Sequence, residues 1–209
     1  MLTARGADTV NAMDARILSL FQREVGRQCR FAMIAARAID EGLQQRDNEH
    51  VFYSVHALLL AATNVSKLLW PSQADTWHVP ERGRELRSSL GFGDKDEPAF
   101  RMRTFRNHLE HFDSGLEEWA VTSEHKHFAD DAIGPRAAID GIGAGDHVRW
   151  LDPETMSFTF TGEDLELRAI VSTLTELHER ARIESSRSSS AEFERGDPPG
   201  PTPASHLRS

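Results

Sequence analysis

The feature that most constrains this chain is the spacing of apolar residues in its first third. From about Asp14 to Leu43, apolar side chains recur mostly every three, four or seven residues, the period of one face of an α-helix. The same spacing runs from about Glu49 to Leu69, and Pro71 ends that segment. Only a short polar stretch, QQRDN, separates the two segments. The pattern therefore predicts two long helices in an antiparallel hairpin.

Each predicted helix has a set of core-facing positions. In the first helix these are Ile17, Phe21, Val25, Ala32, Ala36, Ile39 and Leu43. In the second helix they are Phe52, Val55, Leu59, Ala62, Val65 and Leu69. A short helix near residues 81–90 follows, and then a third long helix that starts after Pro98 and runs to about Trp119.

The one clear β signal lies between residues 147 and 161. HVRWL and MSFTF alternate apolar and polar residues, and DPET supplies a turn between them. Thr161 then resembles an N-cap for a last helix that runs to about Arg182, through Leu167, Ile170, Leu174, Leu177 and Ala181. Residues 184–209 are rich in serine, proline and glycine, a composition typical of a disordered tail.

The predicted fold class is mainly α: a helical bundle of four to five helices with a small β-hairpin before the last helix. This domain is expected to cover residues 12–183. The single cysteine, Cys29, excludes a disulfide within one chain. The N-terminus lacks a secretory signal, and the longest apolar run, VHALLLAA, is too short to cross a bilayer. We therefore expect a cytoplasmic protein with no membrane partner.

Charge is distributed unevenly along the chain. The formal net charge of −9 argues against tight, non-specific binding of nucleic acid over a broad surface. The window 82–106, however, holds seven Arg or Lys against four Asp or Glu, which makes it +3. The window can equally be an ordinary arginine-rich surface. It leads directly into the segment that carries most of the chemistry.

That segment is FRNHLEHFD, residues 105–113. Its polar candidates for a functional site are Arg106, Asn107, His108, Glu110 and His111. The apolar residues around them are spaced 4, 3, 4, 3 and form a predicted core seam of Phe105, Leu109, Phe112, Leu116 and Trp119. At about 100° per residue, Arg106 lies about 100° to one side of this seam and His111 about 120° to the other.

These residue types suit RNA cleavage without a metal or another cofactor. The imidazole of His111 can exchange a proton with a ribose 2′-hydroxyl or a leaving oxygen near neutral pH. The guanidinium of Arg106 can stabilise charge on the phosphoryl group, and Asn107 can orient the histidine or the sugar. One straight helix places Arg106 and His111 on opposite sides of the apolar seam. A two-fold dimer would therefore bring the His of one copy to the Arg of the other.

RNHLEH resembles the Arg-polar-x-x-x-His motif of the HEPN domain superfamily. The resemblance implies a small, often dimeric helical bundle. Many HEPN proteins are metal-independent endoribonucleases of toxin–antitoxin, phage-defence or RNA-processing systems. It further implies catalytic roles for Arg106 and His111, Asn107 as the polar residue, RNA as substrate, and an antitoxin or regulatory protein as a candidate partner. His108 and Glu110 are not required by the motif and are secondary candidates.

Two other interpretations remain open. In one, the chain is a metal-dependent hydrolase that uses His108, His111, His125 and His127 with Asp113 or Glu110. The absence of an HExxH sequence weighs against it. In the other, the chain is a non-catalytic helical dimer that binds a protein or RNA through its polar helix face. In that case Arg106 and Glu110 form an ordinary i, i+4 pair.

Overall fold

A computed structural model describes residues 14–71, 79–93, 96, 98, 112–123, 130–135 and 146–194. The helices are α1 (Ala15–Gln45), α2 (Asn48–Leu69), α3 (Val79–Ser89), α4 (Phe112–Thr122) and α5 (Leu167–Glu194). The strands are β1 (Ala132–Ile133), β2 (Arg149–Asp152), β3 (Ser157–Phe160) and β4 (Glu163–Glu166). The predicted class, mainly helical with a small β element before the last helix, is confirmed.

The α1–α2 hairpin is built as its sequence predicts. The Asp14 carboxylate caps the start of α1 by accepting from the Arg16 backbone N–H, and the Asp47 carboxylate caps α2 by accepting from the His50 N–H. Between the helices Arg46 takes a left-handed conformation that ends α1. Gly42 is required at the closest approach, because a Cβ there would lie 2.8 Å from Val51 Cγ2.

The hydrophobic core lies between α1, α2 and α5. All six predicted core positions of α2 are buried, as are all five of α5. Helix α5 packs closely on α1 at Gly26, whose carbonyl lies 3.0 Å from His178 Nδ1. One predicted core position is wrong: Ile17 is 48% exposed, because α1 turns that side of its surface away from both neighbours.

The β region is larger than the predicted hairpin. The predicted turn forms after Asp152, whose Oδ1 accepts from the N–H groups of Glu154 and Thr155. Strands β2 and β3 pair antiparallel as expected. The sheet also contains β1, parallel to β2, and β4, antiparallel to β3, in the order β1-β2-β3-β4.

The predicted N-cap at Thr161 is wrong. Thr161 has a positive φ of 46° and, with Gly162, forms the tight turn between β3 and β4. Residues 163–166 pair with β3, so the last helix begins only at Leu167. It also continues to Glu194, so residues 184–194, which the composition placed in a disordered tail, are helical. Residues 195–209 lie outside the described part of the chain.

Helix α2 is long and apolar enough to cross a membrane if only length and composition are considered. This differs from the expectation based on the shorter run VHALLLAA. In the fold, 61% of its most apolar window is buried inside the protein. Its apolar character is therefore accounted for by its place at the centre of the core.

Candidate functional site

The predicted catalytic motif lies just outside the residues that the structure describes. Arg106, Asn107, His108, Glu110 and His111 all belong to the segment 99–111, and the description resumes at Phe112. Their placement and their roles therefore stay predictions. His125 and His127, which the metal-hydrolase interpretation requires, also lie outside the described residues.

Helix α4 is the described continuation of the predicted motif helix. Trp119 is buried in the core and Leu116 packs against it, so the C-terminal half of the predicted seam is confirmed. At about 100° per residue, Asp113 and Glu117 lie on the same side of the predicted seam as Arg106, and both are exposed as expected for a polar side. Asp113 therefore lies on a solvated surface.

A buried polar contact anchors the end of α4 to the sheet region. The Ser123 hydroxyl, one residue beyond α4, donates to Asp146 Oδ1 at 3.0 Å, and both residues are buried. Next to Asp146, the His147 ring packs edge-on against Trp150 with ring centroids 4.0 Å apart. The contact holds the C-terminal end of α4 next to the sheet region.

Ser123, Asp146 and His147 do not form a hydrolytic triad. In such a triad the imidazole lies between the serine hydroxyl and the carboxylate, and accepts the serine proton. Here the Ser123 hydroxyl donates directly to the Asp146 carboxylate. The sequence gives no signal for this contact, since 23 residues separate its two partners.

Three arginines stack on three aromatic rings where α1, α2, α3 and α5 meet. We call this set the arginine–aromatic cluster. It consists of Arg82 over Phe21, Arg87 over Trp70, and Arg180 over Phe92, with guanidinium-to-ring distances of 4.6, 5.6 and 5.3 Å. Arg82, Arg87 and Phe92 belong to the positive window 82–106, whereas the other three members of the cluster lie outside it.

Two arginines of the cluster stabilise helix ends. Arg87 is buried and its Nη1 donates to the carbonyl of Leu69, the last residue of α2. Arg180 Nη1 donates to the carbonyl of Leu90, just beyond α3, at 3.3 Å. A cation at a helix C-terminus satisfies carbonyls that have no partner within the helix and opposes the negative end of the helix dipole. These two contacts are structural.

Arg82 differs from the other two. Its Nε is buried and has no hydrogen-bond partner among the described residues, and the same holds for Oε2 of the neighbouring Glu81. Partial burial lowers the pKa of Arg82, but a guanidinium remains charged at any physiological pH. Arg82 and the exposed Arg84 are the residues of this part of the window best suited to contact a phosphate.

An ion-pair cluster connects the residues just before β1 to β2. Arg149 donates through Nε and Nη2 to the two carboxylate oxygens of Asp130, and its Nε lies 3.3 Å from Asp131 Oδ1. The hydrogen bond from Arg149 is the main reason why the pKa of the Asp130 carboxyl lies below its usual value. The pair fixes the position of the short strand β1.

Among the described residues, no group of three or more His, Cys, Asp or Glu side chains is placed to hold a metal ion. No protein-family model, curated protein or solved structure matches the chain.

Proposed function

We propose that this chain is a HEPN-like, metal-independent endoribonuclease of the cytoplasm that acts as a homodimer, in a toxin–antitoxin or phage-defence role. The observation that carries the proposal is the spacing of Arg106, Asn107 and His111 on a predicted helix. The described helix α4 agrees with the predicted seam, because Trp119 is buried and Leu116 packs against the core.

In the proposed reaction, His111 removes the proton from a ribose 2′-hydroxyl. The 2′-oxygen then attacks the adjacent phosphorus and the bond from phosphorus to the 5′-oxygen breaks. The leaving 5′-oxygen takes up a proton, so the products are a 2′,3′-cyclic phosphate and a 5′-hydroxyl. Arg106 stabilises the negative charge on the phosphoryl oxygens, and Asn107 orients the histidine or the sugar.

RNA binding needs positive charge in a protein whose net charge is −9. We assign phosphate contacts to Arg82 and Arg84. Arg82 is only partly buried, although its Nε is inaccessible, and Arg84 is exposed. Arg87 and Arg180 are not assigned to RNA, since both donate to backbone carbonyls.

Cleavage of total RNA in the presence of EDTA tests the proposal. We expect the wild type to produce fragments that end in a cyclic phosphate. His111→Ala should lose at least about 100-fold in rate, as for removal of a general base, and Arg106→Ala about 100-fold or more, as for loss of a group that stabilises transition-state charge. The matched control is His56→Ala, since His56 is an exposed histidine of α2 outside the motif. Equal cleavage by all four proteins would refute the assignment of the site.

Mixing the two inactive variants tests whether the site is shared between copies. If His111 of one copy acts with Arg106 of the other, each mixed dimer holds one intact site. Statistical exchange makes half of the dimers mixed, so about a quarter of wild-type activity returns. If one chain supplies both residues, mixing restores nothing, and the shared site is wrong even if cleavage itself is real.

The alternative is a non-catalytic helical dimer that binds RNA or a partner protein. It predicts that the wild type retains RNA in a gel-shift assay without producing cyclic-phosphate ends. Both Arg106→Ala and Arg82→Ala would then weaken retention, whereas His111→Ala would leave the pattern of RNA ends unchanged.

A further inference from the structure

The outward surface of α1 carries a second regular row of side chains. Its positions are spaced 3, 4, 3, 4, 3, and we call them the outer stripe: Ile17, Leu20, Glu24, Arg27, Phe31 and Ile34. The four apolar members are 48%, 57%, 48% and 55% exposed. Single exposed apolar residues are ordinary, but a row that follows a coiled-coil repeat is not.

The core does not account for this row. Helix α1 packs on α2 and α5 through a different face, which buries Val25, Cys29, Ala32 and Ile39. The outer stripe extends over about 26 Å, at 1.5 Å per residue from Ile17 to Ile34. An α-helix of about three heptads would cover it.

A row of four arginines borders the outer stripe on one side, one in every heptad. We call Arg16, Arg23, Arg30 and Arg37 the arginine row, and all four are exposed. The positions on the opposite border, Phe21, Gln28 and Ala35, carry no charge themselves, although Arg82 of α3 stacks on Phe21. In the middle of the stripe, Arg27 Nη1 forms an ion pair with Glu24 Oε2 at 3.2 Å.

We propose that the outer stripe is the docking site of an acidic amphipathic helix from a partner protein. The apolar side of that helix would cover Ile17, Leu20, Phe31 and Ile34. Its acidic border would face the arginine row, and opposite charges at such flanking positions set partner choice in paired helices. This inference does not depend on whether the chain cleaves RNA.

The charges argue against a second copy as the occupant. In heptad notation Ile17, Glu24 and Phe31 occupy a positions, Leu20, Arg27 and Ile34 occupy d positions, and the arginine row occupies g positions. In an antiparallel pair the a positions of one helix face the d positions of the other, and the g positions of the two helices face each other. Pairing Ile17 with Ile34 of the other copy brings Arg16 opposite Arg37 and Arg23 opposite Arg30. These four arginine pairs outnumber the two favourable pairs between Glu24 and Arg27 of the other copy. In a parallel pair Glu24 faces Glu24. Like charges in these positions oppose association.

A lipid surface fits less well than a helix. The Glu24–Arg27 pair lies in the centre of the stripe, so a membrane that covered the apolar residues would also remove these two charges from water without new partners. A helix can instead place a complementary charge beside each. The described residues of α1 thus favour a protein partner.

A pair of synthetic helical peptides tests the proposal. Both have leucine at the stripe-facing positions, with one lysine and one glutamate opposite Glu24 and Arg27. One peptide has glutamate along both borders, and the other has lysine there. We expect the full chain to bind the acidic peptide at least about tenfold more tightly than the basic one at low salt, with a smaller difference at high salt. Equal binding, or no binding of the acidic peptide, overturns the proposal.

Matched variants identify the surface that binds. Neither Arg30 nor Arg37 contacts a described residue through a hydrogen bond or ion pair. The double variant Arg30→Glu/Arg37→Glu leaves the arginine row with two positive and two negative charges, so it should abolish the peptide preference. Arg84→Glu, a reversal of another exposed arginine on α3, should leave it unchanged. Phe31→Ser should weaken binding about tenfold or more, whereas Val121→Ser, at an exposed residue of α4, should not. An unchanged preference in the double variant refutes the role of the arginine row.

Two further measurements test the other occupants. If sedimentation shows a dimer that Leu20→Ser dissociates, the occupant is a second copy and the proposal is wrong. If vesicles of phosphatidylserine and phosphatidylcholine bind the wild type but not Phe31→Ser, the stripe is a membrane contact and the proposal is again wrong. The proposal is supported if Leu20→Ser and the wild type have the same mass in sedimentation, and if the wild type does not bind the vesicles.

Discussion

Replacing glycine with alanine should change the free energy of unfolding in opposite directions at two helical positions, 83 and 115. Gly83 lies in α3 against the end of α2, where a Cβ would be 2.6 Å from Pro71 Cδ and 3.0 Å from the Leu69 carbonyl oxygen. Gly115 lies in α4, where a Cβ would meet nothing within 4 Å. Gly83→Ala and Gly115→Ala therefore share the same gain in helix propensity and differ in the space available.

The magnitudes follow from these distances. Alanine is favoured over glycine in a helix by about 1 kcal/mol, which is the expected gain for Gly115→Ala. At position 83 the new carbon would be about 1 Å inside the usual 3.5–4.0 Å carbon–carbon contact, and such overpacking costs about 1–3 kcal/mol. Because the ring and the carbonyl are held by the chain, α3 must move and lengthen the bond from Arg87 to Leu69. We expect a net loss of about 1–2 kcal/mol.

The free energy of unfolding can be measured by urea titration followed by circular dichroism at 222 nm. The two variants should differ by about 2–3 kcal/mol, or about 5–10 °C in melting temperature for a chain of this size. The comparison controls for the change in the unfolded chain, since both variants replace glycine with alanine. A Gly83→Ala protein as stable as the wild type would show that α3 does not approach the end of α2 in this way.

Three other side-chain contacts give separate predictions. Burial raises the pKa of the Cys29 thiol to about 12, so iodoacetamide at pH 8 should label Cys29 only when the chain unfolds. The free energy of unfolding should also fall above about pH 8.5, where the thiol of the unfolded chain ionises. Rapid labelling of the native protein would contradict this. The lowered pKa of Asp130 beside Arg149 gives stability that is present above about pH 4 and lost as the pH falls through the folded pKa. Asp130→Asn should therefore be less stable than the wild type at pH 7, with a difference that disappears in acid. Ser123→Ala should cost about 1–3 kcal/mol in urea titrations, since it removes a donor from the buried Asp146 carboxylate, and no loss would mean that the contact does not anchor α4.

The main helices could be predicted because each carries its own period of apolar residues. Predictions failed where a segment has little preference of its own. Residues 163–166 contain three acidic residues and one leucine, a composition that disfavours a strand. They form β4 because β3 offers a free edge, with Leu165 buried and Glu163, Asp164 and Glu166 exposed. Charged residues on such an edge also discourage pairing with other chains.

The candidate site was predictable only in part. The Arg106-to-His111 spacing and the positive window are properties of the sequence, and the described half of the helical seam, Leu116 and Trp119, packs as that spacing predicts. Which arginines contact helix ends and which do not could not be predicted from the sequence. Whether an arginine donates to a helix end, as Arg87 does, or keeps a donor with no described partner, as Arg82 does, depends on residues distant in the chain.

The sequence by itself determined the helical class, the α1–α2 hairpin and the residues that suggest RNA chemistry, because periodicity and residue type are local properties. Only the tertiary structure decided which side of α1 is covered. Both the core-facing row and the outer stripe have helical spacing. Spacing alone therefore places Ile17 in the core, whereas in the structure α2 and α5 pack on another face of α1 and leave Ile17 exposed. Burial is a property of the assembled fold, so it alone separates a core seam from an exposed stripe with the same spacing.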